Sequence, residues 1–371
     1  MKRQQQLTEW LNSLFPQTTF DLASASADAS FRRYFRATFA DGSTRIIMDA
    51  PPQHEDCRPF VKIAHLFEEA GTHVPHVYAQ DLEQGFLLLS DLGDITYLQA
   101  LCGGVAAQQR GTHRPPPCGE TADSAPVLYG AATDALLKIQ LASRENELPL
   151  YTEALLRREM NLFPEWYIAK HLGVTLSEKQ SADLERAFQR ILANNLAQPR
   201  VYVHRDYHSR NLMYIEPPLP NPLPQAGEGA NEKSNLQLLP GILDFQDAVY
   251  GPITYDLASL FKDAYIRWEE AEIIDWLVRY WEKARKAGLP VHEDFSVFYS
   301  DYEWMAVQRH LKVLGIFARL YHRDGKDGYL KDLPLVMAYL RAACVRYIDL
   351  KPLLNLLDTL EPHITQEGYT F

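Results

Sequence analysis

The sequence is short of cysteine, of basic residues and of long apolar runs, and each shortage removes a class of protein. Its four cysteines, Cys57, Cys102, Cys118 and Cys344, form no CxxC pair and no paired spacing suited to a metal. They read as free thiols in a reducing compartment. No run reaches the roughly 18 apolar residues of a membrane span. The opening MKRQQQLTEWLNSLF has no long apolar core and reads as an amphipathic helix rather than a signal peptide. A soluble cytoplasmic protein with no membrane partner is therefore expected. Lys and Arg number 37 against 48 Asp and Glu, a net charge of -11. That balance argues against a nucleic-acid partner, and any anionic ligand requires a local basic pocket. No internal repeat is visible.

What is present is a chain of 371 residues, 46% hydrophobic and 11% aromatic, enough for two domains or one two-lobed unit with substantial cores. The first quarter is rich in strand signals. A helical stripe, Leu7, Trp10, Leu11 and Leu14, precedes a stretch of small and polar residues over 21–30 (DLASASADAS), which reads as a loop. Residues 34–40 alternate as a strand, Asp41-Gly42 marks a hairpin, and 44–50 is the return strand. A helix is expected over 58–70, stopped by Gly71, with strands at 74–78 and 85–90. Residues 101–126 contain Gly103-Gly104 and Pro115-Pro116-Pro117 and read as a surface insertion. Helical periodicity then governs 127–143, 152–172 and 177–194, the last with Ser177 as N-cap, and again from 253 to the end. A second insertion, 217–235, is rich in Pro, Gly and polar residues and is expected to be a disordered excursion.

Two segments interrupt the helical body. Residues 201–214, VYVHRDYHSRNLMY, carry the pattern H-x-D-x(4)-N. Residues 241–247, GILDFQD, place a strand-terminal Asp244 33 residues after Asn211. Taken singly, H-x-D also fits a capped turn, and an Asp after Ile-Leu also fits a helix N-cap. Together the three oxygens follow the order of the catalytic loop and metal-binding Asp of protein-kinase-like phosphotransferases. In such chemistry Asp206 accepts the proton of the attacking hydroxyl, and Asn211 and Asp244 hold Mg²⁺, a hard ion that prefers oxygen donors.

The sequence resembles the aminoglycoside phosphotransferase and choline kinase-like family. The resemblance is carried by His204-Arg205-Asp206-x-His208-x-x-Asn211, by Ile242-Leu243-Asp244-Phe245-Gln246-Asp247, and by Gly251-Pro252-x-x-Tyr255-Asp256-Leu257-Ala258. Three further segments, DASFRRYFR at 28–36, MDAPP at 48–52 and LSDLGD at 89–94, resemble a narrower branch. That branch comprises bacterial sugar kinases of cell-wall recycling, which phosphorylate the anomeric hydroxyl of N-acetylmuramate and N-acetylglucosamine.

The resemblance implies an α+β, bilobal protein-kinase-like fold, with a small β-rich lobe over 1–92 and a larger, mainly helical lobe over 93–371. It implies ATP and Mg²⁺ as cofactors and a small amino sugar as partner, and a monomer is expected. Asp206 is implied as general base, Asn211 and Asp244 as metal ligands, and His204 and Asp256 as structural residues of the catalytic loop. Ser30, Arg32, Arg33 and the interlobe residues Leu89, Ser90, Asp91 and Leu92 are implied at the nucleotide. His208, Glu159, Trp166, Arg309 and His310 are candidates for the sugar, and Asp247 is a further candidate near the base. One departure stands out. The family's basic residue on the third strand falls near Met48 or Asp49, neither of which can grip a phosphate, leaving Arg32, Arg33, Arg36 and Lys62 as replacements. Two other functions fit the same motifs: phosphorylation of an aminoglycoside or choline-like molecule, and a non-catalytic nucleotide-binding regulator.

Overall fold

The computed structural model describes residues 2–27, 31–102, 125–215 and 239–361. Its first part is a five-stranded antiparallel sheet in the order β1-β2-β3-β5-β4. The strands are β1 (Phe20–Ala27), β2 (Arg33–Phe39), β3 (Thr44–Asp49), β4 (Val77–Asp81) and β5 (Phe86–Ser90). Two helices accompany them, α1 (Lys2–Leu14) and α2 (Arg58–Glu69). Side chains alternate across a strand, so the sheet has two distinct faces. Ala37, Ile47, Phe86 and Leu88 pack under Leu7 and Leu11 of α1, with Trp10 stacked on Phe86. The other face, with Met48, Leu87 and Leu89, joins the core of α2 and the helical body. In register, Tyr34 lies opposite Met48, and Arg36 opposite Ile46.

Beyond the sheet come α3 (Tyr97–Leu101), α4 (Ala125–Leu141), α5 (Glu153–Leu162) and α6 (Glu178–Ala197). Four short strands follow: β6 (Arg200–Val203), β7 (Leu212–Met213), β8 (Gly241–Ile242) and β9 (Val249–Pro252). They form two antiparallel pairs, β6 with β9 and β7 with β8. Helices α7 (Tyr255–Phe261), α8 (Glu270–Lys286), α9 (Phe295–Asp324), α10 (Leu333–Arg346) and α11 (Lys351–Leu360) complete the body. The 30-residue α9 is its central post, about 45 Å long at 1.5 Å per residue. Every residue from Tyr302 to Gly315 is buried. Gly315 lies against Leu162, where a Cβ would fall 2.3 Å from the Leu162 carbonyl carbon. A larger residue there would push α9 away from α5.

Several expectations are revised. The small-residue stretch read as a loop is mostly β1, an edge strand paired with β2 from Phe20 to Ala27. Its Ala and Ser side chains carry no apolar alternation, and the backbone ladder to β2 holds it instead. The strand expected at 74–78 begins at Val77, after Pro75, which cannot donate to a ladder. The helix expected over 152–172 is α-helical only to Leu162. From Phe163 to His171 it widens into a π-helix, with Pro164 at its start. Ser177 does cap α6, in a reciprocal box with Gln180. Cys57 and Cys344 are free and buried, but Cys102 is disulfide-bonded, contrary to the reading of four free thiols. Most of the 101–126 insertion, all of 217–235 and Ser30 lie outside the described residues. Among the described residues no helix is long and apolar enough to cross a membrane.

Candidate active site

Strand β6 delivers the chain into a turn at His204. Burial pushes the His204 imidazole down to about 4, so it is neutral. Its Nε2 donates to the Leu243 carbonyl (2.9 Å), leaving Nδ1 to accept the Asp206 N–H (3.2 Å). Arg205 sits at φ 78, in the left-handed region that costs a non-glycine residue free energy. Asp256, wholly buried at the start of α7, accepts the N–H groups of His204 (2.7 Å) and Arg205 (3.0 Å) and so pins that turn. Seven residues on, buried Asp263 takes the Ser209 N–H (3.0 Å) and hydroxyl. Two carboxylates thus hold the loop from two sides.

Asn211 then turns its amide so that Nδ2 donates to the Asp206 carbonyl (3.0 Å) and to Asp244 Oδ2 (3.2 Å). This leaves Asn211 Oδ1 for a cation. Asp244 also sits in the left-handed region, at φ 64, with Gln246 on its Oδ1 (2.7 Å). One amide oxygen and one carboxylate side by side suit Mg²⁺, which takes few protein ligands and completes its shell with phosphate oxygens and water. Among the described residues no group of three or more His, Cys, Asp or Glu is arranged to hold a metal alone.

Asp206 lies in a field of cations. Burial would raise its carboxyl, but Lys312, His208, Arg309 and Arg205 outweigh that and hold it well below the carboxylate range. Behind it Glu159 is buried. It accepts hydrogen bonds from Arg205, Tyr151 and Gln308, and pairs with Lys312 at 3.4 Å. Burial pushes Glu159 up, yet Lys312 and Arg205 bring it down, so it stays ionised. Lys312 also donates to Tyr255 (3.0 Å), and Arg309 donates to Ser259 (2.7 Å).

Beside this cluster opens a cavity of about 470 Å³. Ala25 and Ile46 form its roof, Met213 and Leu243 its floor, and Leu89 to Gly93 its back wall. Arg210, Asn211 and Asp244 also line it. Asp91 of the back wall is tied to Arg36 by two hydrogen bonds of 2.6 and 3.0 Å. Ser90 accepts the His76 N–H through its hydroxyl (2.9 Å).

The structure brings Asp206, Asn211, Asp244, His204, Asp256, His208, Glu159 and Arg309 together, and sets others apart. Arg33 projects to the α1 side of the sheet and pairs with buried Asp49, as does Arg3. Lys62 binds the Glu147 carbonyl at 2.5 Å. His310 stacks on Tyr339 and meets the Lys262 carbonyl at 3.2 Å, deep in the helical core. Trp166, on the π-helix, packs against that core. Asp247 is exposed, and only its carbonyl reaches Arg205. Arg32 pairs with Glu55 at 3.0 Å, just ahead of α2, in the field of Asp244. Sequence reading passed over Asp263, Glu55 and Arg210. Asp263 lies two residues beyond the end of α7, and no motif marked it.

The buried ionisable groups set the acid stability. Below about pH 6.5 the unfolded chain protonates its histidines, while His204 (about 4) and His310 (about 3) stay neutral when folded. The unfolded state then binds more protons, so stability rises with pH. Asp256 has the opposite sign. Burial lifts its carboxyl from 3.8 to about 7, which costs stability as pH rises between those values. The two histidines together move further than Asp256. The melting temperature is expected to rise by several degrees from pH 4.5 to 6.5, and a flat or falling profile would count against these protonation states.

A cleft between an antiparallel sheet and a helical body, lined by Asn211 and Asp244 with Asp206 hydrogen-bonded to Asn211 beside it, is the architecture of the protein-kinase-like phosphotransferases. The chain belongs to the phosphotransferase enzyme family, whose model matches residues 21–219 and 237–295. It is 46% identical over 372 residues, 100% of both chains, to a Neisseria meningitidis protein named N-acetylmuramate/N-acetylglucosamine kinase. A Pseudomonas putida protein of the same name is 46% identical, with 97% of each chain covered. Among solved structures, an aminoglycoside 2'-phosphotransferase in complex with GDP superposes with a TM-score of 0.56 at 13% identity, covering 90% of this chain and 97% of that one. At that identity the likeness speaks for the fold alone. Phosphotransferases of this family draw on a nucleotide as phosphoryl donor.

Proposed function

We propose that the protein is an ATP- and Mg²⁺-dependent kinase of N-acetylated amino sugars, transferring the γ-phosphoryl group to the anomeric hydroxyl of N-acetylmuramate and N-acetylglucosamine. The observation that carries this reading is the full-length identity of 46% to a kinase named for those two sugars. The geometry supports it. The apolar lining of Ile46, Leu89 and Met213 suits a purine, with the backbone of the Leu89–Gly93 wall along its edge. Asn211 and Asp244 would hold Mg²⁺, which neutralises phosphate charge during transfer. Arg32 is the candidate that fits the place of the missing third-strand cation. Arg33 and Lys62 are committed away from the cavity and Arg36 to Asp91 of its wall, whereas Arg32, just ahead of β2, is paired with Glu55 in the field of Asp244.

Asp206 takes the acceptor's proton. Its low proton affinity makes it first an acceptor that orients the hydroxyl, and the proton moves late, as a loose transition state requires. The cations around it favour a neutral or anionic acceptor over a polycation. Lys312, Arg309 and Arg205 surround the base, and an aminoglycoside would need carboxylates there. The lactyl carboxylate of N-acetylmuramate is compatible with such a field. Phosphoryl acceptors presented in parallel decide the matter: ATP consumption is expected with N-acetylmuramate and N-acetylglucosamine, and not with kanamycin or choline. Consumption with kanamycin alone would overturn the sugar reading, and none with any acceptor would favour a non-catalytic role.

A further inference from the structure

We propose that Arg210 contacts the transferring phosphoryl group and stabilises its charge from the acceptor side. Arg210 stands within the catalytic loop, four residues after the base and immediately before Asn211. Its guanidinium lies 3.6 Å over the ring of Tyr265, with the Tyr329 ring at 5.9 Å. A guanidinium stacked by its flat face keeps its in-plane N–H donors free. Among the described residues none of those donors is engaged, since Arg210 makes no hydrogen bond or ion pair there. Asp332, whose carboxyl feels the charge of Arg210, forms no ion pair with it, and its buried Oδ2 has no partner.

An arginine fixed by aromatic stacking, with idle donors, lining a cavity beside Asn211 and Asp244 is a built anion site. The anion that comes there in a phosphotransferase is the γ-phosphoryl group. In the step, the sugar oxygen forms its bond to the γ-phosphorus as the bond to the β–γ bridging oxygen breaks. The electron pair leaves on ADP, and the hydroxyl proton passes to Asp206. Charge spreads over three equatorial phosphoryl oxygens. Asn211 and Asp244 would hold a metal ion that neutralises charge on one side, Arg32 would serve the sheet side, and Arg210 the side toward the acceptor. Two adjacent loop positions, Arg210 and Asn211, thus grip the same group from different directions.

This inference rests on the kinase reading, and the wild-type protein tests that reading separately. Arg210→Met keeps the aliphatic stem over Tyr265 and removes the charge. With N-acetylglucosamine as acceptor its kcat is expected to fall by about 10²–10³-fold, the range for losing one donor to developing charge, with Arg210→Lys recovering part of the loss. Calorimetry supplies a readout without turnover. AMP-PNP affinity should fall about tenfold, the worth of one charged hydrogen bond, while ADP affinity stays within about twofold. A kcat within threefold of wild type in a folded Arg210→Met protein would overturn the proposal, as would equal losses of ADP and AMP-PNP affinity. Wild-type protein that turns over no amino sugar would instead fault the kinase reading, and the AMP-PNP to ADP ratio would still judge Arg210.

Discussion

Asp206→Asn is expected to lower turnover by about 10²–10⁴-fold, the usual contribution of a positioned proton acceptor, with folding and nucleotide affinity near wild type. The substitution is close to isosteric. The loop contacts at this position use the Asp206 backbone, its N–H to His204 and its carbonyl to Asn211, so they survive. The cations lose one counter-charge but keep Glu159, which already pairs with Lys312 and Arg205. The melting temperature should therefore fall only modestly. A linked expectation concerns pH. Because Lys312, His208, Arg309 and Arg205 overcome the burial of Asp206 and keep it ionised far into acid, its protonation should not limit the rate between pH 7 and 5. Loss of activity there should track the melting of the fold, set by the buried histidines. Near-native kcat in Asp206→Asn would remove this residue from the chemistry.

Asp244→Ala is expected to abolish Mg²⁺-dependent turnover. Asn211 would keep its bond to the Asp206 carbonyl but lose Asp244 as a partner, and no carboxylate would remain beside it to hold the ion against the phosphates. A lone amide oxygen is a weak ligand for a strongly hydrated cation. The loss extends to the charge stabilisation a metal gives phosphoryl transfer, several kcal/mol. Calorimetric titration of ATP with and without Mg²⁺ is the check: wild-type affinity should depend on the metal, and the mutant's should not. A mutant with unaltered metal dependence would show that the ion is held elsewhere.

The candidate site was legible because its oxygens are close in sequence and stand at strand ends. Asp206 and Asn211 share one loop, and Asp244 follows the short apolar strand that pairs with it. The roof of the cavity was less legible. Ala and Ser of β1 give no alternation, and a backbone ladder leaves no trace in side-chain pattern. The period of two along β2 puts Tyr34 and Arg36 on one face and Arg33 on the other. Sequence alone cannot say which face looks into the cleft, and the pairing of Tyr34 with Met48 and of Arg36 with Ile46 decides it. Helix α9 fails for a different reason. Since every residue from Tyr302 to Gly315 is buried, no polar stripe marks the side facing Asp206. Arg309 and His310, one position and roughly 100° apart, go to the site and to the core respectively. The π-helix after Leu162 likewise shifts Trp166 away from where an α-helix would carry it.

The central claim is that Asp206 presents one sugar hydroxyl, the anomeric one, to the γ-phosphate. A carboxylate activates only a hydroxyl within about 2.6–3.2 Å, so a single base implies a single product. The most direct measurement is phosphorus NMR of the product formed from N-acetylglucosamine and ATP, followed by mild acid. A resonance coupled to the anomeric proton and lost in acid is expected, marking a sugar 1-phosphate. An acid-stable 6-phosphate would contradict the claim.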